Sequence, residues 1–244
     1  MRKINLFIIG GQKCGTTALA AFLSQHDDIC LVSGKEAHIF DQPDIDNYSL
    51  EDIDKKYTSL LSHYNGEKWC CDATPIYSYW QPTHSKIAKY NPDAKIIFML
   101  RDPIERAVSQ YQMEHSRGNE SLSILPAFLL EKWRLYKANK NPSDLSSWRI
   151  HSYVDRGYFS KQYKQLLMHF SPEQILVIHN EQLKKEHGKT LKKVFDFLDI
   201  ENQEIKSENV FSSKFKAIGW QTTIAKLYAK FCLRDEVKFV KKYR

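Results

Sequence analysis

The chain has 244 residues, 42 % of them apolar and 13 % aromatic, and a formal charge of +7. That length suits one α/β domain with at most a small helical elaboration, and the apolar content is ample for a core, which excludes a disordered chain. The excess of lysine and arginine suits nucleic acid, an anionic membrane or an anionic substrate as partner, and charge alone does not choose among them.

Five cysteines, Cys14, Cys30, Cys70, Cys71 and Cys232, are an odd number without framework spacing. They read as reduced thiols, and the adjacent Cys70 and Cys71 lack the spacing of zinc ligands. No apolar run reaches the length of a membrane span. The first predicted strand begins almost at Met1, which points to the absence of a signal peptide.

Residues 4–9, Ile-Asn-Leu-Phe-Ile-Ile, read as a buried strand. Gly10-Gly11-Gln12-Lys13-Cys14-Gly15-Thr16-Thr17 follows, and then Leu19, Phe22 and Leu23 at helical spacing. A strand, a glycine-rich turn and a helix start make a phosphate cradle, because loop amides and the helix N-terminus converge on one spot. Lys13 adds a full charge, and Thr16 and Thr17 add hydroxyl donors. The lysine precedes the last glycine, so this is not the Gly-Lys-Ser/Thr order of a nucleotide triphosphate loop.

After a polar stop at residues 25–29, Lys35-Glu36-Ala37-His38-Ile39-Phe40 follows. If this stretch is extended, Glu36 and His38 share one face and can serve acid–base chemistry. A solvated loop ending in a core phenylalanine fits the same residues. Residues 42–66 predict a surface helix, with Leu50, Ile53, Tyr57, Leu60 and Leu61 at helical spacing. A short strand at 68–72 leads to Ala73-Thr74-Pro75-Ile76-Tyr77, and His84 to Tyr90 predicts a helix.

Ile96-Ile97-Phe98-Met99-Leu100 is a continuous apolar run, as expected of a parallel strand buried on both faces. In Arg101-Asp102-Pro103-Ile104-Glu105-Arg106-Ala107-Val108-Ser109, Asp102 can cap the next helix, Pro103 fits its first position, and Glu105 completes a capping-box pattern. Arg101 then stands at the carboxyl end of the strand, where open α/β sheets bind ligands, with Ser109 two turns along the helix. Arg106 reads as the partner of a nearby acid.

Residues 125–136 predict a helix with Phe128, Leu129, Trp133 and Tyr136 near one face, and 139–144 a loop. Trp148, Arg149 and His151 are either acceptor contacts or an ordinary mixture of core aromatic and solvated charge. A helix after Arg156-Gly157-Tyr158-Phe159, a strand at 175–178 and an amphipathic helix through Leu191, Val194, Phe195 and Leu198 follow. The tail combines Ile224, Leu227, Tyr228 and Phe231 with lysines. It reads either as a helix on anionic lipid or as a last helix covering the core.

Gly-x-x-Lys-x-Gly-Thr-Thr resembles the 5′-phosphosulfate loop of sulfotransferases that use 3′-phosphoadenosine 5′-phosphosulfate (PAPS), and Arg-Asp-Pro-x-Glu-Arg-x-x-Ser resembles their 3′-phosphate motif. Lys-Glu-x-His-x-Phe looks like a segment of the heparan sulfate-type and bacterial members that carries the general base. The resemblance covers roughly residues 4–200. It implies a single domain over 1–244, related to nucleotide kinases, with a mainly parallel central sheet and helices on both faces. Residues 118–153 would form a variable acceptor side and 218–244 a basic helical segment.

On that resemblance Glu36 is the base, with His38 the second choice, and Lys13 assists the leaving phosphate. Gly11, Gln12, Lys13, Cys14, Gly15, Thr16 and Thr17 hold the 5′ side, and Arg101 and Ser109 hold the 3′-phosphate. Arg156, Tyr158 and Lys214 or Lys216 are further cofactor candidates. Lys35, Thr74 and Tyr77 lie on the acceptor side, with Asp72 beside them. The expected reaction moves a sulfonate from PAPS to a hydroxyl or amine, most simply on a carbohydrate, without a metal and in a bacterial cytoplasm. No nucleic acid or membrane span is expected, and peripheral lipid contact by the basic tail stays open. A P-loop phosphotransferase and a non-catalytic anionic glycan-binding protein are the alternatives.

Overall fold

A computed structural model describes residues 3–139, 141, 143, 146–206 and 219–244. Five strands, β1 (Leu6–Gly10), β2 (Ile29–Leu31), β3 (Trp69–Asp72), β4 (Lys95–Leu100) and β5 (Ile175–His179), form one sheet in the order β2-β3-β1-β4-β5. Every pairing is parallel. Ile8 of β1 stands opposite Ile97 of β4, and Phe98 opposite Val177 of β5. All five residues of β1 are buried, as are those of β4 after Lys95. That explains why both read as unbroken apolar runs. Truncating Phe98 to alanine would cost about 3–5 kcal/mol, since a buried aromatic leaves a cavity as well as losing its transfer energy.

Among the described residues twelve α-helices surround the sheet and a second core. They are α1 (Thr16–Leu23), α2 (Leu50–Leu60), α3 (Pro82–Tyr90), α4 (Pro103–Ser116), α5 (Ile124–Leu129), α6 (Glu131–Ala138), α7 (Ser147–Ile150), α8 (Phe159–Leu166), α9 (Asn180–Lys185), α10 (His187–Leu198), α11 (Trp220–Cys232) and α12 (Arg234–Lys241). The main core lies around the sheet. A second, smaller core joins Val108 and Tyr111 of α4, Phe128 of α5, Tyr153, and Ala225 and Ala229 of α11.

Asp102 caps α4, accepting from the amides of Ile104 and Glu105. Glu105 does not close a capping box; its carboxylate takes the Lys226 ammonium of α11 at 2.6 Å. The single helix expected over 125–136 is two, divided at Leu130. Phe128 turns into the second core, while Leu129, Trp133 and Tyr136 are exposed. The tail helix does cover that core, but through Thr222, Ala225 and Ala229; Ile224, Leu227 and Phe231, expected to pack, face outward.

Candidate active site

β1 delivers the chain to a turn at the carboxyl end of the central strand, where the sheet order reverses. Gly10 (φ 148°) is required there, since a Cβ would lie 2.4 Å from the Met99 carbonyl of β4. Gly15 (φ 94°) makes the left-handed step into α1. Lys13 takes the same region at φ 73° without glycine's freedom, a strained conformation held by its surroundings. The amide of Cys14 closes the turn on the Gly11 carbonyl at 3.0 Å.

Two buried arginines grip this loop from behind. Arg106 of α4 donates to the Gln12 carbonyl at 3.4 Å, to Gln110 Oε1 at 2.8 Å and to the Tyr153 carbonyl. Arg156 donates to Gln12 Oε1 at 3.0 Å, to Ser152 Oγ at 2.7 Å and to the Arg149 carbonyl. The acid expected beside Arg106 is not its hydrogen-bond partner, for every bond these two guanidinium groups donate goes to an uncharged oxygen. Burial pulls the Arg106 pKa down to about 10, so both remain cationic at neutral pH. Two cations in a dry interior behind an anion cradle raise its positive potential.

Arg101, at the end of β4, donates to the Lys13 carbonyl at 3.0 Å. Ser109 and Met113 follow along α4, with Arg117 at its C-terminal boundary, and all three line the same cleft. Burial, then the neighbouring Arg101 and Arg117, hold the Lys13 pKa below that of a free lysine.

The 35–38 segment is not extended. Lys35 (φ 73°) and His38 (φ 51°) are both left-handed. Three of the five non-glycine residues with positive φ among the described residues therefore belong to this site. The bend still joins Glu36 to His38, with Glu36 Oε2 3.1 Å from His38 Nε2. Lys35 Nζ lies 2.5 Å from Glu36 Oε1 and 3.4 Å from Thr16 Oγ1. On its other side His38 Nδ1 meets Asp41 Oδ2 at 2.9 Å, and Asp41 takes Arg149 at 2.8 Å.

Burial works against charge on all three titrating groups. The hydrogen bonds outweigh it, lowering Glu36 and Asp41 and raising His38 to about 10. At neutral pH Glu36 is a carboxylate clasped by two cations, and His38 is an imidazolium between two carboxylates.

Asp72, Thr74 and Tyr77, placed on the acceptor side by sequence, are fully buried and serve this bend instead. Asp72 accepts from the Ala37 amide at 3.2 Å, Thr74 Oγ1 at 2.6 Å and Tyr57 Oη at 2.8 Å. Tyr77 Oη accepts from the amides of Ile39 and Phe40. Burial raises the Asp72 pKa, although these donors oppose it.

A cleft of about 920 Å³ collects Gln12, Lys13, Gly15, Thr16, Thr17, Lys35, Glu36, His38, Arg101 and Ser109. Gly11 and the buried Cys14 shape the loop without lining it. Tyr158 does not line it either, and its hydroxyl reaches the Cys232 carbonyl at 3.5 Å. Trp148 is buried and stacks on Tyr79 with ring centres 4.5 Å apart, and His151 bonds to Ser147 and the Asn119 carbonyl. Lys214 and Lys216 lie outside the described residues. Sequence reasoning missed Arg117, Asn180 and Lys184, which also line the cleft. Their local sequence carries no motif; only the fold brings them there.

An all-parallel sheet with a lysine-bearing glycine loop after its central strand, and an arginine after the next, defines an α/β protein built to hold a phosphorylated nucleotide. The profile of the sulfotransferase domain family matches residues 3–219. Human heparan sulfate glucosamine 3-O-sulfotransferase 3B1 is 30 % identical over 193 residues, covering 79 % of this chain and 45 % of its own length. Human bifunctional heparan sulfate N-deacetylase/N-sulfotransferase 3 is 27 % identical over 208 residues, 79 % of this chain and 22 % of its own. The chain thus spans less than half the length of these relatives. A sulfotransferase from Alicyclobacillus acidocaldarius has the same fold, with a TM-score of 0.76 at 24 % identity over 100 % of this chain and 98 % of the other. A mouse sulfotransferase complexed with PAP superposes with a TM-score of 0.50 at 24 % identity, over 84 % and 62 %. The chain belongs to the sulfotransferase family.

Proposed function

We propose that the protein transfers the sulfonate of PAPS to a hydroxyl or amine of a carbohydrate, releasing 3′-phosphoadenosine 5′-phosphate (PAP). The observation that carries this reading is Lys35, whose ammonium joins Glu36 to Thr16 of the phosphate loop. A proton acceptor and an anion cradle are thereby held at one spot. Bound PAPS would supply a sulfonate on a phosphate leaving group; the rest falls to the chain's own side chains.

Arg101 and Ser109 would grip the 3′-phosphate and fix the donor for in-line attack. Lys13, Thr16, Thr17 and the loop amides would stabilise charge growing on the 5′-phosphate. Glu36 would take the acceptor's proton, having lone pairs left beyond those engaged by Lys35 and His38. His38, already protonated, is unsuited to that task and orients Glu36 instead. The cleft's size suits a nucleotide with part of an acceptor, and its cationic lining, with Arg117, Arg149 and Lys184, suits an anionic sugar. The five free cysteines support a reducing compartment, and we place the enzyme in a bacterial cytoplasm.

Calorimetric titration with PAP, with and without magnesium and against ATP, tests the donor. Tight metal-independent binding that is lost with the 3′-phosphate is expected. Preference for magnesium-ATP would replace this reading with a phosphotransferase. Glycan binding without nucleotide affinity would replace it with a binding protein.

A further inference from the structure

α11 is an amphipathic helix turned inside out. At 100° per residue, Trp220, Ile224, Leu227 and Phe231 fall within an arc of about 60°. They are 69 %, 43 %, 61 % and 85 % exposed. The opposite side carries Thr222, Ala225 and Ala229, which are buried against α4 and α5 with Leu233 just beyond. A helix that only covers a core directs its large apolar residues inward and its small or polar ones outward. Here small residues let the helix sit close to the protein and present its bulky stripe to the outside. The neighbouring segment adds Leu129, Leu130, Trp133 and Tyr136, all exposed.

The charges on these helices are one-sided. Among α5, α6 and α11 the cations are Lys132, Arg134, Lys137, Lys226 and Lys230, and the single acid is Glu131. Glu131 is buried, with its oxygens taken by the amides of Val154 and Asp155. Lys226 is neutralised by Glu105 of α4 and Arg134 by Glu120, so the positive charge these helices turn outward comes from Lys132, Lys137 and Lys230. A second copy docked on the same face would set those three lysines against their own kind. A bilayer with acidic headgroups accepts both halves of the pattern, aliphatic and aromatic side chains at the acyl boundary and lysines among the phosphates. A helix of 13 residues is too short to cross a membrane and long enough to lie along its surface.

We propose that the outward stripe of α11 seats the protein on an anionic lipid surface. The site is separate from the cleft, and the inference stands whether or not the proposed reaction is correct.

Flotation of the full-length protein with vesicles tests it, using mixed phosphatidylglycerol and phosphatidylcholine against phosphatidylcholine alone. The wild type should partition onto the anionic vesicles at least about tenfold better than onto the neutral ones. The double variant Leu227→Asp/Phe231→Asp should lose that binding while keeping its circular dichroism and its affinity for PAP. Lys230→Glu, which leaves the stripe intact, should weaken binding several-fold. Wild-type protein that stays in solution with both vesicles overturns the proposal, and so does a double variant that floats as well as the wild type. Absence of flotation together with a dimer that the double variant splits would assign the stripe to a second copy and overturn it equally.

Discussion

Arg149 donates through Nη1 to Asp41 Oδ2 at 2.8 Å, across 108 residues of sequence. This bond closes a circuit around the cleft. From Asp41 the chain of contacts runs through His38, Glu36 and Lys35 to Thr16. From the carbonyl of Arg149 it runs through Arg156 to Gln12. The candidate base and the phosphate loop are therefore tied to each other at both ends, and a change at one member should be felt at the rest.

Replacing Glu36 with glutamine keeps the shape and removes the basic oxygen. Turnover should fall by about 100-fold or more, the usual worth of a positioned base, while PAP binds as before. Steady-state rates alongside calorimetry check this. Near-normal turnover would remove Glu36 from the role.

His38→Gln should shift the pH dependence in a defined direction. His38 is the leading influence holding the Glu36 carboxyl down. Without it that pKa rises, and the acid limb of the kcat profile moves to higher pH. Stability should change as well. A histidine raised from 6.5 to about 10 contributes stability that is fully present below pH 6.5 and lost as pH climbs through 10. Thermal melts of the wild type should decline over that window, and those of the variant should decline less. Parallel melts would contradict the assigned charge state.

Arg101→Ala should cost about 1.5–3 kcal/mol in PAP affinity, the range for a hydrogen bond to a charged group. Adenosine 5′-phosphate, which lacks the 3′-phosphate, should lose far less. Equal losses for the two ligands in calorimetry would place Arg101 elsewhere than on the 3′-phosphate.

Arg156→Lys retains a cation but not the fork that reaches Ser152, Gln12 and the Arg149 carbonyl at once. With Gln12 released, PAP affinity should drop about tenfold even where the fold survives, as circular dichroism would register. Unchanged affinity would show that the loop holds its shape without this brace.

The thiols should prove largely inert. Burial pushes Cys14 up to about 12, Cys30 up to about 11 and Cys71 well above its usual range. Cys232 alone is partly accessible. A chromogenic disulfide should titrate Cys232 in the native protein and all five thiols after denaturation. Rapid reaction of several native thiols would contradict the packing around β2 and β3.

The two phosphate motifs were legible because each is a strand, a turn and a helix start in one short run. Local physics writes such units directly into residue order. The sequence pairs Glu36 with His38 on an extended stretch, whereas a bend with positive φ at Lys35 and His38 is what joins them. Lys35 and His38 occupy backbone conformations that only glycine announces in advance. Thr74 and Tyr77 lie buried behind the bend, and their segment reads the same in sequence whether it faces the cleft or lies behind it. The stripe on α11 was visible as a period. Its direction was not, since that is set by how closely Ala225 and Ala229 let the helix approach α4 and α5. Arg149 and Arg156 depend on contacts across large separations, which no local pattern encodes.

The position of β1 has a consequence for how the molecule is made. Leu6 faces Cys71 on one side and Lys95 on the other. The sheet's first strand in chain order thus lies at its middle, and its two edges are closed only by β3 and β4, which follow it by about 60 and 90 residues. Parallel pairings over such separations close slowly. Until then an isoleucine-rich segment stays open to other nascent chains, guarded at its ends by Lys3 and Lys13. Lys13 would then act twice, first as a gatekeeper against aggregation and later, once the sheet has closed, as the charge that meets the nucleotide.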